Sequence, residues 1–138
     1  MKKVIILLYM ISMSSVTLLA QNSDYKVVFD MTSKDSMNQQ SLIRELNLIK
    51  DANPDAKMEV VVYSHGLELV LKNKSPQQNE VAKLVSDKNI SFKVCAMTMK
   101  RNNIDQSQLI PGVMVVPDGI YEIISKQKEG WGYIKVSR

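Results

Sequence analysis

The side chains best suited to nucleophilic or acid–base chemistry are the one cysteine and the one histidine of the sequence, Cys95 and His65. Each stands at the end of an apolar run, Cys95 after "ISFKV" and His65 after "MEVVVYS". Ligands of open α/β sheets bind beyond the carboxyl ends of the strands, so both side chains are expected at that edge. Whether they lie within hydrogen-bond distance depends on the strand order, which the sequence leaves open. Four segments are predicted to gather at this edge: Asp30–Thr32, Ser64–Gly66, Cys95–Thr98 and Pro117–Gly119.

Two interpretations of Cys95 stand side by side. Free cysteine is among the most buried residue types, so Cys95 could be a small packing residue of a strand. Alternatively, Cys95 lies at a helix N-terminus, where backbone N–H groups and the helix dipole favour the thiolate. The thiolate would be a nucleophile or a sulfur carrier. Thr98 or nearby N–H groups would then stabilise the anion, and Lys100 and Arg101 would add positive potential if they turn inward.

His65 also has two interpretations. A histidine between a strand and a glycine is more often a capping or surface residue, but it can serve as a base or as a partner of a thiol. One cysteine and one histidine disfavour a zinc site within the chain, and neither G-x-G-x-x-G nor a P-loop occurs. We therefore expect no metal and no cofactor. Asp30 and Asp118 could pair as carboxylates, but capping of helices is the preferred prediction.

The N-terminus resembles an export signal. After "MKK", the 17 residues from Val4 to Ala20 carry no charge, which predicts a signal peptide at residues 1–20 and a periplasmic or secreted protein. An uncleaved membrane anchor is the alternative. Residues 21–138 then form a single domain. A lone cysteine excludes an internal disulfide framework, although an exposed thiol could cross-link two chains.

The net charge of +4 does not indicate nucleic-acid binding. Two of the lysines, Lys2 and Lys3, belong to the predicted signal peptide, and the remaining ones are interspersed with acidic residues. No basic stripe with interleaved aromatic residues is present, so no nucleic-acid partner is expected.

Five apolar runs alternate with helical patterns along the rest of the chain. The predicted strands are Tyr25–Asp30, Met58–Gly66, Ile90–Met97, Gly112–Val116 and Trp131–Val136. The consecutive residues Val60, Val61 and Val62 indicate burial on both faces of a sheet. This order predicts a three-layer α/β/α domain with a mainly parallel sheet of about five strands.

Three helices are predicted between these strands, in addition to a broken helix or a loop with a helical turn at Thr98–Ile110. The first carries Leu42, Ile43, Leu46 and Ile49 on one face and ends before Pro54. The second is predicted to begin at Ser75 and Pro76, with Gln78 at the capping-box position. The third places Ile120, Ile123 and Ile124 on one side and is ended by Gly130.

Three segments of this pattern resemble the DsrE/DsrF-like family. They are "VVVYSHGLELVL" (Val60–Leu71), "ISFKVCAMTMKRNNI" (Ile90–Ile104) and "LIPGVMVVPDGIYEIISKQKEGWGYIKV" (Leu109–Val136). The resemblance implies a small α/β/α domain that assembles into oligomers, and a persulfide carrier role for Cys95. His65 falls in a segment similar to the second active-edge loop of the family.

Two functions from different classes follow. The first is a sulfur carrier or sulfur-relay protein with sulfurtransferase-like activity, in which Cys95 holds a persulfide. In this function His65 is a candidate partner of Cys95, and Thr98 is a candidate stabiliser of the anion. The second is a non-catalytic oligomeric module that binds a small ligand or partner and keeps Cys95 as a structural residue. The resemblance implies a homo-oligomer and, for the carrier, a thiol-bearing acceptor protein. A membrane contact is expected only through an uncleaved signal segment.

Overall fold

The computed structural model describes residues 24–137, in which five parallel strands form one sheet of order β4-β3-β2-β1-β5. The predicted α/β fold with a parallel sheet of five strands is therefore confirmed. The predicted signal peptide at residues 1–20 lies outside the described residues. The strands are β1 (Lys26–Met31), β2 (Lys57–Val62), β3 (Ile90–Cys95), β4 (Met114–Val116) and β5 (Gly132–Val136).

Four α-helices and two 3-10 segments connect the strands. The helices are α1 (Ser36–Ala52), α2 (Gln78–Leu84), α3 (Ala96–Arg101) and α4 (Gly119–Lys128), and the 3-10 segments are Ser64–Val70 and Gln106–Gln108. Within residues 24–137, no helix is both long and apolar enough to cross a bilayer.

The strand order determines on which face each helix lies. From β1 to β4 the chain advances across the sheet in one direction, and then it returns past β1 to add β5. Because crossovers between parallel strands are right-handed, the reversal places α4 on the face opposite to α1, α2 and α3. The connections that leave the neighbouring strands β3 and β4 therefore diverge to opposite faces. Such a divergence opens a crevice at the carboxyl edge of the sheet.

The larger hydrophobic core lies on the face covered by α1, α2 and α3. Phe29, Val60 and Phe92 of the sheet are buried there, together with Leu46 of α1 and Leu84 of α2. The predicted double burial of Val60–Val62 is confirmed, since all three side chains are fully inaccessible. This apolar interface supplies most of the area removed from water on folding.

The α4 face has a smaller core. Val28, Val61 and Ile123 form its buried cluster, with Tyr63 and Trp131 packed against it. Of the three isoleucines predicted on one side of α4, only Ile123 is buried, whereas Ile120 and Ile124 are exposed. A single helix cannot cover five strands, so part of this face remains open.

Several predicted boundaries are displaced. The strand expected at Met58–Gly66 ends at Val62, where Ser64 adopts a positive φ of 55° and starts a 3-10 segment. Helix α2 begins at Gln78, not at Pro76. The Ser75 hydroxyl accepts from the Gln77 N–H, and the Gln78 side chain accepts from the Asn73 N–H, so both side chains stabilise the preceding turn.

Candidate functional site

Cys95 lies in the crevice between β3 and β4. It is the last residue of β3 and the N-cap of α3, and it pairs with Val116 of β4. A pocket of about 310 Å³ opens beside it. The pocket is lined by Tyr63, Ser64, Cys95, Met97, Thr98, Arg101, Asp118, Gly119 and Ile120. Three of the four segments predicted to meet at this edge thus contribute to one pocket.

The sulfur atom of Cys95 is surrounded by hydrogen-bond donors. Burial raises the pKa of the thiol, because the residue is only 6% exposed. Against this, the backbone N–H groups of Gly119, Thr98 and Met97 donate hydrogen bonds to the sulfur, and the Thr98 hydroxyl adds another. The donors outweigh burial and lower the pKa of Cys95 below its ordinary value. Such a site favours the thiolate, the nucleophilic form of cysteine.

Thr98 connects Cys95 to the turn after β2. Its Oγ1 atom accepts a hydrogen bond from the backbone N–H of Ser64 at 3.1 Å. A hydroxyl has one hydrogen to donate, and accepting from Ser64 leaves that hydrogen available for the Cys95 sulfur. The predicted proximity of Thr98 to Cys95 therefore has a defined geometry, with Ser64 fixing the orientation of the hydroxyl.

Gly119 is the first residue of α4 and contacts Cys95 directly. A Cβ atom built on Gly119 would lie 3.3 Å from side-chain atoms of Cys95, Tyr63 and Val61. The absence of a side chain lets the N-terminus of α4 approach the sulfur. Asp118 caps this helix by accepting from the N–H groups of Ile120 and Tyr121, as predicted. The sequence marked Gly119 only as a turn residue.

His65 lines two neighbouring pockets and does not line the Cys95 pocket. One of these, of about 140 Å³, also contacts Thr98 and Arg101, and the other contacts Lys34 and Lys74. The structure therefore brings Thr98 to Cys95 but places His65 in an adjoining space. Of the two basic residues expected to add positive potential, Arg101 lines the Cys95 pocket, whereas exposed Lys100 does not.

Asp30 is a buried carboxylate that binds two exposed side chains of β5 on the α4 face, so the preference for it as a helix cap is wrong. Its carboxylate accepts from the Tyr133 hydroxyl at 2.7 Å and from Lys135 Nζ at 3.0 Å. Lys135 also donates to Thr32 Oγ1 at 2.7 Å. The hydrogen bond to Asp30 raises the pKa of Tyr133 to about 12. The sequence offered no signal for this network, since its partners are brought together by the β1–β5 pairing.

Tyr63 connects that network to the pocket. Burial, followed by the negative charge of Asp30, raises the pKa of Tyr63 to about 12. Lys135 Nζ lies 5.8 Å from the centre of the Tyr63 ring, and the ring itself lines the Cys95 pocket. Tyr63 is therefore a neutral wall of the pocket at any physiological pH.

A second charge cluster fastens α4 to the sheet. Lys93 Nζ lies 2.9 Å from Glu59 Oε2 and 2.6 Å from Glu122 Oε1. Burial raises the pKa of Glu59, whose Oε1 atom is buried with no hydrogen-bond partner. For Glu122, burial is outweighed by the hydrogen bond from Lys93, and its pKa is lowered. One lysine thus lies between two carboxylates beneath α4, and their pKa values are shifted in opposite directions.

No metal centre is found in the part of the chain that the structure describes. Residues 24–137 contain no group of three or more His, Cys, Asp or Glu side chains that could hold an ion. The arrangement around Cys95 is suited to nucleophilic sulfur chemistry, since it stabilises an anion at the sulfur by hydrogen bonds alone.

Comparison with solved structures identifies the same fold in proteins from three organisms. A protein of unknown function from Methanobacterium thermoautotrophicum, MTH1491, is 30% identical with a TM-score of 0.76, over 81% of this chain and 99% of that protein. The ychN protein from E. coli is 15% identical with a TM-score of 0.68, over 80% and 98%. BT1422 from Bacteroides thetaiotaomicron, also of unknown function, is 14% identical with a TM-score of 0.68, over 85% and 99%. The latter two likenesses concern the fold alone.

Comparison with curated proteins gave no match. A family model, in contrast, matches residues 26–136, which include all five strands and the Cys95 pocket. The match spans most of the chain and agrees with the fold of MTH1491. The chain belongs to the DsrE/DsrF-like family.

Proposed function

We propose that the protein carries sulfur as a persulfide on Cys95. The observation that carries this proposal is the set of N–H and O–H donors around the Cys95 sulfur at the floor of an open pocket. These donors stabilise the Cys95 thiolate, both as the nucleophile that takes up sulfur and as the group released when sulfur is passed on. Membership of a sulfur-relay-type family supports the same chemistry.

The reaction has two steps. The Cys95 thiolate attacks the outer sulfur of a sulfane-sulfur donor, a new S–S bond forms at Cys95, and the donor leaves with the bonding electron pair. An acceptor thiolate, on a partner protein in our proposal, then attacks the outer sulfur and releases the Cys95 thiolate. Thr98 and the N–H group of Gly119 hold the negative charge on Cys95 before and after transfer.

The test is the intact mass of the folded protein after exposure to a persulfide donor, beside a Cys95→Ser variant. The expected result is the gain of one sulfur atom that is lost on reduction and absent from the variant. A protein that gains no sulfur and whose Cys95 resists alkylation in the folded state would refute the carrier. The non-catalytic binding module would then be the better description.

We also propose that the protein is a homo-oligomer. Among the described residues, α4 exposes Ile120, Tyr121 and Ile124, which are 56%, 71% and 44% accessible. Ile120 also lines the Cys95 pocket, so a second copy seated on α4 would border the site. Light scattering should give the mass of an oligomer for the natural chain and of a smaller species for Ile124→Glu. A monomeric natural chain would contradict the proposal.

The export of the protein remains a proposal that rests on the sequence of residues 1–20. Expression of the full chain with its N-terminus should yield a secreted or periplasmic protein that begins at Gln21. N-terminal sequencing measures this directly. A protein that keeps Met1 in the membrane fraction would support the uncleaved anchor.

A further inference from the structure

A continuous groove leads from Cys95 across the carboxyl edge of the sheet to two lysines. The Cys95 pocket shares Ser64, Thr98 and Arg101 with the space of about 140 Å³ beside His65. That space shares Ser64, His65 and Asn102 with a further pocket of about 280 Å³. Ser64 borders all three spaces, which therefore adjoin one another, and together we call them the groove, with the Cys95 sulfur at one end.

The far end of the groove is positively charged. Lys34, from the loop after β1, and Lys74, from the loop before α2, line the pocket of about 280 Å³. Within residues 24–137, neither lysine forms an ion pair with an acidic side chain, and the same holds for Arg101 midway along the groove. Seven other basic residues of the described chain do form such pairs, whereas the charges of Lys34, Lys74 and Arg101 are not neutralised by an acidic partner.

Acidic side chains compensate part of this charge. Glu68 is the one carboxylate that lines the Lys34–Lys74 pocket. Asp118, in the Cys95 pocket, already accepts from two N–H groups at the start of α4. Three cationic side chains therefore face two carboxylates along the groove, so its net charge is positive, and the Lys34–Lys74 end holds two cations beside one carboxylate. Such a surface attracts a ligand with negative charge.

We propose that the groove binds a low-molecular-weight persulfide that carries negative charge at the end remote from its sulfur. This inference rests on the proposed role of Cys95 and names the class of its sulfur donor. The outer sulfur lies at Cys95, the body of the molecule passes Arg101 and His65, and its anionic end lies between Lys34 and Lys74. The Cys95 thiolate attacks the outer sulfur, the S–S bond of the donor breaks, and the donor leaves as a thiolate with the bonding pair.

Binding is tested first, without any sulfur transfer. The probes are S-methylglutathione, which has two free carboxylates, and its diethyl ester, in which both are neutral. Calorimetric titration of the full mature chain carrying Cys95→Ser should show binding of the acid that is roughly fivefold or more tighter than that of the ester, a typical effect of one or two exposed ion pairs. A Lys34→Gln/Lys74→Gln double variant should abolish the difference. A Lys72→Gln/Lys83→Gln variant is the matched control, because it loses the same charge at exposed positions outside the groove.

Sulfur transfer is measured second, with glutathione persulfide and the persulfide of the diethyl ester as donors to the chain with Cys95. Sulfur transfer that is faster from glutathione persulfide than from the persulfide of the diethyl ester supports binding of the donor in the groove. The difference should disappear in the Lys34→Gln/Lys74→Gln variant and at high salt. If the acid and the ester bind equally and transfer sulfur equally in all variants, the proposed anionic donor is overturned, while Cys95 remains a sulfur carrier. If the acid binds more tightly but neither donor transfers sulfur, the groove still binds an anion and the carrier role of Cys95 is refuted. The two proposals can therefore fail separately.

Discussion

Gly119 packs so closely on Cys95 that a Cβ atom at position 119 would lie 3.3 Å from the Cβ atom of Cys95. This contact joins the end of β3 to the beginning of α4, which lies on the face of the sheet opposite to α3, the helix that follows β3. It brings the Gly119 N–H to the Cys95 sulfur, where it is the leading hydrogen-bond donor. The pKa of the Cys95 thiol therefore depends on the position of α4, which acts on the sulfur through a backbone N–H group and not through a side chain.

Substitution of Gly119 by alanine should weaken the thiolate. The added methyl group would force α4 away from Cys95, and the lost N–H donor would raise the pKa of the thiol. We expect alkylation by iodoacetamide at neutral pH to slow several-fold and its pH profile to move to higher pH. Gly132→Ala is the control, since a Cβ atom there meets its nearest neighbour at an ordinary 3.5 Å. An unchanged pH profile in Gly119→Ala would show that the helix does not activate Cys95.

Thr98 should affect both stability and reactivity. Thr98→Val keeps the shape of the side chain but leaves the Ser64 N–H without its acceptor and removes one donor to the Cys95 sulfur. We expect a loss of about 1–2 kcal/mol in the free energy of unfolding, together with a higher pKa of Cys95. Urea denaturation and the alkylation profile measure the two effects. Thr98→Ser, which keeps the hydroxyl, should retain most of both properties, and equal behaviour of the two variants would argue against the hydroxyl.

The two carboxylates beneath α4, Glu59 and Glu122, should have opposite effects on how the stability of the protein depends on pH. Glu59 has a higher pKa folded than unfolded, so its stabilising contribution is complete below the unfolded value of 4.5 and is lost as the pH rises through the folded pKa. Glu59→Gln cannot ionise. Its stability relative to the natural chain should therefore increase as the pH rises from the unfolded value of 4.5 through the folded pKa of Glu59.

Glu122 provides the matched comparison. Its folded pKa lies below the unfolded value of 4.5, so its contribution is present above that value and is lost as the pH falls through the folded pKa. Glu122→Gln should cost about 1 kcal/mol at neutral pH, and less in acid. Urea denaturation across this pH range measures both variants. The same pH dependence in the two variants would contradict the opposite pKa shifts of Glu59 and Glu122.

Gly66 should be intolerant of any side chain. A Cβ atom on Gly66 would lie 2.5 Å from the carbonyl oxygen of Met31, which itself accepts from the Tyr63 N–H. Gly66→Ala must shift the 3-10 segment that begins at Ser64, and we expect a loss of about 2–3 kcal/mol in unfolding free energy. Thermal and urea denaturation provide the measurement. A loss no larger than that of Gly132→Ala would mean that the backbone relaxes freely at this position.

The fold could be predicted from the sequence because its signals are local. Continuous apolar runs such as Val60–Val62 mark buried parallel strands, and the aspartate before Gly119 marks a helix cap. The candidate site could be predicted only in part. The position of Cys95 at the end of a strand is a local property, whereas its neighbours are set by the strand order.

The residues that sequence reasoning missed all depend on contacts between distant segments. Gly119 reaches Cys95 because β4 is the neighbour of β3, and no pattern within either segment encodes that adjacency. Asp30 finds its partners on β5, with Tyr133 lying 103 residues further along the chain. His65 was placed correctly at the edge, but the turn at Ser64 directs it into the adjoining pocket.

The placement of β1 between β2 and β5 has a consequence for the order of folding. Val27 of the first strand pairs with Gly132 of the last, so the sheet can close only by a contact between the two ends of the domain. Closing so long a loop costs chain entropy before any contact is gained, which makes this a slow, high-contact-order step. Until β5 arrives, β1 is an open edge whose unpaired backbone groups can pair with another chain.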